Sequence, residues 1–235
     1  SSSSAASDVY KRQDRGVQIL GEIELGFLAE QGRVIAITGT NGKTTTTTLT
    51  GEIMKAHFGK DKTFVVGNIG NPYTLEADKT SKDSVTVGEI SSFQLETIHT
   101  FHPVVSAILN ITPDHLNRHH TMEAYVAAKE AVASQQTKAD ICVLNYDNDY
   151  TRDFAGRCPA TPVLFSSHQE LENGYFLRGD KIIKSVNGEE HELMDIHKDM
   201  NLVGLCNVEN VMAAIAIAEG MHCLLYTSPS PRDAH

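Results

Sequence analysis

A β-branched run, Arg33–Thr38 (RVIAIT), leads directly into Gly39-Thr40-Asn41-Gly42-Lys43-Thr44, and this passage constrains the fold of the chain more than any other. A strand, a glycine-rich turn and a helix start aim successive backbone N–H groups, together with the positive end of the helix dipole, at an anion. Lys43 adds a mobile charge for β- and γ-phosphates, and Thr44 adds a hydroxyl suited to Mg²⁺. The widespread form of this loop, G-x-x-x-x-G-K-[ST], needs a glycine at position 37, where this chain has Ile37. The first glycine is Gly39, so the loop is the shorter G-T-N-G-K-T form. The segment is read as an ATP-phosphate site comprising Gly39, Thr40, Asn41, Gly42, Lys43, Thr44 and Thr45.

The rest of the chain alternates short apolar runs with helical patterns. Lys62–Val66, Ser84–Gly88, Val104–Asn110, Ile141–Asn145 and Val163–Ser166 read as strands, and Thr44–His57, Thr121–Gln135, Asp147–Gly156 and Asn207–Glu219 as helical stretches. Val17–Leu28 reads as a short strand running into a helix. Alternation of this kind predicts an α/β fold, a mostly parallel sheet with helices on both faces. Tyr175–Leu177, Lys181–Val186 and Glu190–Met194, separated by glycine-containing turns, predict a small antiparallel patch. No internal repeat is visible.

Of the 235 residues 40% are hydrophobic, enough for one large domain. The formal charge of −10 disfavours non-specific nucleic-acid binding, which depends on lysine and arginine. The four cysteines form no C-x-x-C pair and suit free thiols in a reducing compartment. No apolar stretch approaches the ~20 residues of a membrane span, and no secretory signal pattern opens the chain. The first methionine is Met54, residues 1–13 are polar, serine-rich and aperiodic, and the helical pattern through Glu219 breaks into Leu224-Leu225-Tyr226-Thr227-Ser228-Pro229-Ser230-Pro231. Residues 1–13 and 224–235 are therefore expected to be foreign tails, 14–30 the end of a preceding domain or linker, and 31–223 a central ATP-binding domain.

Three further features bear on chemistry. Glu89 follows the third strand, and ligand crevices in open α/β sheets lie outside the carboxyl ends of strands; a carboxylate there can hold Mg²⁺ beside phosphates. Asn110–His120 follows the fourth strand, so His115 can reach the same crevice. His115 and His119 have the i, i+4 spacing of a zinc pair, but Pro113 and the lack of a third ligand weigh against zinc. His119 and His120 read as solvated or capping residues. Lys129 falls on an apolar stripe with Met122, Tyr125, Val126, Val132 and Ala133. Either its stem snorkels past the core, or its amine works inside, where burial would lower its pKa.

Taken in order, these pieces resemble the Mur ligases, ATP-dependent amide-forming enzymes of peptidoglycan precursor synthesis. The G-T-N-G-K-T-T loop is common to that superfamily, folylpolyglutamate synthases included. Glu89-Ile90-Ser91-Ser92-Phe93-Gln94-Leu95-Glu96 is similar to the run found in its D-glutamate-adding branch, and Gly67–Gly70, Ile108–His120, Tyr125–Lys129 and Asn207–Val211 also match. The resemblance covers about 14–223. It implies ATP and two Mg²⁺ ions as cofactors, with Thr44, Glu89, His115 and Lys129 as metal ligands, Lys129 in the form of a CO₂-derived carbamate. Lys43, His115 and Lys129 would be catalytic. Asn207 and Asn210 would lie near the nucleotide, and Asn68, Ser91 and Gln94 would face a UDP-sugar. The implied partners are UDP-N-acetylmuramoyl-L-alanine and D-glutamate, and the implied setting is a monomer in the bacterial cytoplasm. Asn117 departs from the usual aspartate, and Cys206 from a frequent histidine. The first and last of the family's three domains are not recognisable here, so the chain alone is expected to be inactive. The open alternatives are another ligase of the superfamily and a non-catalytic ATP-binding module.

Overall fold

The computed structural model describes residues 16–68, 70–114, 119–199 and 205–223, the side chains of 205–207 excepted. Among these residues nine strands form one sheet: β1 Arg33–Thr38, β2 Thr63–Gly67, β3 Val85–Glu89, β4 Val105–Ile108, β5 Ile141–Asn145, β6 Thr161–Ser166, β7 Gly174–Arg178, β8 Lys181–Val186 and β9 Glu189–Asp195. The spatial order is β2-β3-β1-β4-β5-β6-β7-β8-β9. Pairings from β2 through β7 are parallel, and β7-β8-β9 are antiparallel. The predicted antiparallel patch is thus the continuation of one sheet. Asn187 and Gly188, at φ 51° and 81°, make the tight turn between β8 and β9.

The helices are α1 Glu22–Ala29, α2 Lys43–Phe58, α3 Tyr73–Glu76, α4 Ser92–Leu95, α5 Met122–Glu130, α6 Asp149–Ala155, α7 Ile196–Asp199 and α8 Leu205–Gly220. Strand residues alternate between two cores. Ile35, Ile37, Val85, Val87, Val105 and Val143 face Met54 of α2 and Met212, Ala216 and Ile217 of α8. Val34, Ala36, Val66, Ile108 and Leu144 face Ile23 of α1, Tyr73, Tyr125 and Phe154. A sheet covered on both sides explains why the central strands read as near-continuous apolar runs.

The chain passes from β1 to β2 on one side and, after β3, to β4 on the other. β1 is therefore flanked by β3 and β4, and its carboxyl end opens at the switch point where such sheets bind ligands. Buried anchors tie α1 to this body. The carboxylate of Glu24, 1% exposed, accepts the backbone N–H groups of His99 (2.8 Å), Thr100 (2.7 Å) and Phe101 (3.2 Å) and the Thr100 hydroxyl. Glu30 accepts from Tyr73 Oη (2.8 Å), Thr86 Oγ1 (2.7 Å) and Gly32 N (2.7 Å).

Two expectations change. Residues 17–21 form no strand: Val17 and Leu20 are exposed and have no strand partner among the described residues, and the helix starts only after Gly21. The helix expected over Thr121–Gln135 is α-helical to Glu130 and then tightens into a 3₁₀ turn at Ala131–Ala133, which buries Val132 and Ala133. The short helices α3, α4 and α7 have too few turns to show a period. The tails expected at 1–13 and 224–235 lie outside the described residues.

Candidate active site at the phosphate loop

The loop after β1 is shaped by two glycines in the left-handed half of φ space, Gly39 at +150° and Gly42 at +82°. A Cβ on Gly42 would sit 2.4 Å from Oδ1 of Asn210 on α8, so the loop lies directly against that helix. Asn110, at the end of β4, grips the other side. Its Oδ1 accepts from Asn41 N (2.8 Å), its Nδ2 donates to Asn41 O (3.0 Å), and its carbonyl accepts from Thr40 N (3.0 Å). Thr40 Oγ1 accepts from Thr112 N (3.0 Å) and lies 3.0 Å from the Tyr125 hydroxyl. Strands β1 and β4 are neighbours, which is why a residue 69 positions away can clamp the loop.

Two lysine amines converge on a single backbone oxygen. Lys43 Nζ donates to Gly39 O (2.9 Å) and Thr40 O (3.1 Å), and Lys129 Nζ donates to the same Gly39 O (2.8 Å). Lys129 is 2% exposed, and its amine also lies 4.9 Å from the centre of the Tyr125 ring. The amine therefore does not snorkel; it ends inside, beneath the loop. Burial, and then the positive charge of Lys43, bring its pKa down to about 7, against a smaller opposing pull from Asp114. Burial also lowers the Lys43 pKa, while Glu89 and Asp114 oppose the shift. Two cations sharing one carbonyl create a local demand for an anion.

Glu89 ends β3 and is 1% exposed. Its carboxylate accepts from Thr44 Oγ1 (3.0 Å) and from Asn68 Nδ2 (3.0 Å), while Asn68 N donates to Glu89 O (2.9 Å). The hydroxyl and the carboxylate expected to share a metal are already neighbours, across 45 residues of chain. Thr45 is exposed in the first turn of α2. Ser91 and Gln94 form a reciprocal capping box at α4: Ser91 Oγ accepts from Gln94 N (3.3 Å), and Gln94 Oε1 accepts from Ser91 N (2.9 Å).

His119 departs from its expected solvated state. It is 7% exposed, with Nε2 3.0 Å from Ser92 Oγ, Nδ1 3.4 Å from Glu96 and its ring stacked on Phe93 at 5.2 Å. It joins the β4–α5 connection to α4, and with both ring nitrogens engaged it is poorly placed to be a zinc ligand. His115 and Asn117 lie outside the described residues, as do the side chains of Cys206 and Asn207. No local sequence pattern points to Asn110 and Tyr125 as holders of the loop; the parallel neighbourhood of β1 and β4 is the signal that would have revealed Asn110.

A cavity of about 310 Å³ lies elsewhere, lined by Tyr175, Lys184, Ala216 and Glu219 among others. Its polar groups already serve one another, since Lys184 Nζ is 2.6 Å from Glu219 and the Tyr175 hydroxyl bonds the same carboxylate. The converging lysines and the Thr44–Glu89 pair make the loop, not this cavity, the candidate site.

Comparisons with known proteins bear on the family and the fold. The sequence profile of the Mur ligase middle domain matches residues 37–218. Curated relatives named UDP-N-acetylmuramoylalanine--D-glutamate ligase include one from Lachnospira eligens, 56% identical over 207 residues, covering 88% of this chain and 45% of the relative. Another, from Clostridioides difficile, is 48% identical over 212 residues, covering 89% and 46%. The chain thus spans about half the length of the curated relatives it matches. Among solved structures, a UDP-N-acetylmuramoyl-L-alanyl-D-glutamate--2,6-diaminopimelate ligase has a TM-score of 0.62 at 24% identity over 83% of this chain and 45% of its own. MurF ligase from Thermotoga maritima in complex with ADP has a TM-score of 0.57 at 15% identity over 86% and 48%. At these identities the structural likeness speaks for the fold.

Proposed function

The chain belongs to the Mur ligase family, and from that premise we propose that it is the ATP-binding part of a ligase that adds D-glutamate to UDP-N-acetylmuramoyl-L-alanine. The name shared by relatives 48–56% identical supports the substrates. The observation that carries the site reading is the pair of lysine amines on one loop carbonyl, a cationic focus at the N-terminus of α2.

A carboxylate is a poor electrophile. In the proposed reaction an oxygen of the L-alanine carboxylate attacks the γ-phosphorus and ADP leaves. The D-glutamate amine then attacks the acyl carbon, the C–O bond to phosphate breaks, and the amine gives up a proton as the amide forms. The barrier is largely electrostatic, because two anions must meet. In this reading the N–H groups at the start of α2 hold the phosphates, and Lys43 leaves the Gly39 and Thr40 carbonyls to follow the γ-phosphoryl charge.

The Thr44 hydroxyl and Glu89 carboxylate, hard oxygen donors already 3.0 Å apart, fit Mg²⁺. Bound there, the ion would shield ATP from the incoming carboxylate. Lys129 suits carbamylation, because an amine with a pKa of about 7 is half neutral at pH 7 and so nucleophilic toward CO₂. The carbamate would turn a buried cation into an anionic ligand for a second Mg²⁺, with His115 as its proposed companion. Asn68, Ser91 and Gln94 are proposed to face the UDP-sugar, the capping box fixing the last two. Asn207 and Asn210 are proposed to lie at the nucleotide. A monomer in the bacterial cytoplasm completes the proposal; among the described residues no helix is long and apolar enough to cross a membrane.

Phosphate release by the full-length protein bearing this sequence tests the substrate assignment. Release should require both UDP-N-acetylmuramoyl-L-alanine and D-glutamate. Release driven instead by a folate and L-glutamate would transfer the protein to another branch of the superfamily.

A further inference from the structure

At the carboxyl ends of β5 and β6 a second polar cluster faces the first turns of α8, and the site above makes no use of it. Glu209 of α8 accepts from Ser167 Oγ (2.7 Å) and, at longer range, from Asn145 Nδ2 (3.4 Å), which also reaches Leu109 O (3.1 Å). Asp147 accepts from Ser166 Oγ (2.6 Å) and Ser167 N (2.7 Å), and His168 Nδ1 lies 3.1 Å from it. Ligand atoms of Asp147, His168 and Glu209 lie within 4.8 Å of one another. Carboxylates this close repel unless donors stand between them. Ser167 stands there, its N–H turned to Asp147 and its hydroxyl to Glu209. The Ser167 hydroxyl oxygen is also 3.0 Å from His168 Nδ1 and can accept from it.

Consecutive helical residues project about 100° apart, because a turn takes about 3.6 residues. Glu209 therefore grips the strand ends while its neighbour Asn210 lies against Gly42 of the phosphate loop. One contact alone would leave α8 free to roll about its axis; two in different directions fix the roll. The geometry points to Glu209 as a positioning residue that, through Ser167 and Asn145, holds Asn210 against the phosphate loop for nucleotide binding. This inference rests on the ATP-site reading.

The test is calorimetric titration of the 235-residue chain with MgADP, alongside thermal melting without nucleotide. Ser167→Ala and Glu209→Ala should each weaken binding about tenfold, the size of one lost charge-assisted hydrogen bond. The double variant should be no weaker than either single one, because both remove the same interaction. Ser167→Thr, which keeps the hydroxyl, should restore affinity to within about twofold. Glu209→Gln carries the same test if Glu209→Ala does not fold: it keeps one acceptor, and its loss should lie between wild type and Ser167→Ala. Unchanged affinity, additive losses, or an equal loss in the remote variant Glu24→Gln would overturn the positioning role. If the wild-type chain binds no MgADP and Lys43→Ala behaves identically, the ATP-site reading itself fails and takes this inference with it. Binding by wild type with unaffected Ser167 and Glu209 variants removes the inference alone.

Discussion

At the scale of single residues, the proposed chemistry depends on where two amines end. Lys129 reads from its spacing as a lysine misplaced on an apolar stripe, and the structure buries it with its Nζ on the loop carbonyl of Gly39. A buried base with a lowered pKa binds fewer protons folded than unfolded. Between about pH 7 and the ordinary lysine range, stability therefore rises with pH, and it is penalised most below pH 7. The same shift predicts a carbamate signal with ¹³C-bicarbonate that is strong at pH 8, falls steeply below pH 7 and vanishes in Lys129→Ala. A signal equal in the two proteins would remove the metal-ligand role. Gly42 is the second sensitive point. Gly42→Ala sets a Cβ 2.4 Å from Asn210 Oδ1 at a φ of +82°, and should cost on the order of 2 kcal/mol in stability together with most nucleotide affinity, read by melting and titration.

At the scale of elements, buried polar anchors decide which segments belong together. Glu24 binds α1 to the 99–101 loop. Burial alone would raise its pKa, but bonds from His99, Thr100 and Phe101 overcome this and hold it below the usual value. A depressed carboxylate pKa gives stability that is present above the unfolded value and lost as pH falls through the folded one. Glu24→Gln, which leaves donors short of an acceptor, should cost about 2–3 kcal/mol at pH 7 and flatten the acid limb of the stability curve. Measured unfolding free energies that stay unchanged across pH would contradict this. The parallel sheet, its two-sided burial and the antiparallel patch were legible in the sequence because strand-length apolar runs alternate with helical patterns. The threonine run that looks like low complexity is a helix face, with Thr46, Thr47 and Thr50 buried and Thr44, Thr45 and Thr48 exposed. What the sequence could not display were contacts made by sheet order. Asn110 reaches the loop because β4 neighbours β1, and Ser167 reaches Glu209 because β6 ends beside α8. No local pattern encodes either contact, and short helices such as α4 leave no periodic trace.

At the scale of the whole molecule, the proposed function makes the described site one wall of a reaction chamber. It offers an anion cradle, a hydroxyl–carboxylate pair for a divalent ion and a buried amine, while the chain matches only 45–46% of the length of relatives such as those from L. eligens and C. difficile. The isolated chain is therefore predicted to show no amide formation with ATP, UDP-N-acetylmuramoyl-L-alanine and D-glutamate; robust turnover by it would show that no further protein is needed. The most direct test of a carboxylate-activating ATP site follows the atoms. With the terminal carboxylate of UDP-N-acetylmuramoyl-L-alanine labelled with ¹⁸O, the full-length protein carrying this sequence should release phosphate containing one ¹⁸O per amide formed. Phosphate free of label, or label recovered in AMP, would contradict the acyl-phosphate account.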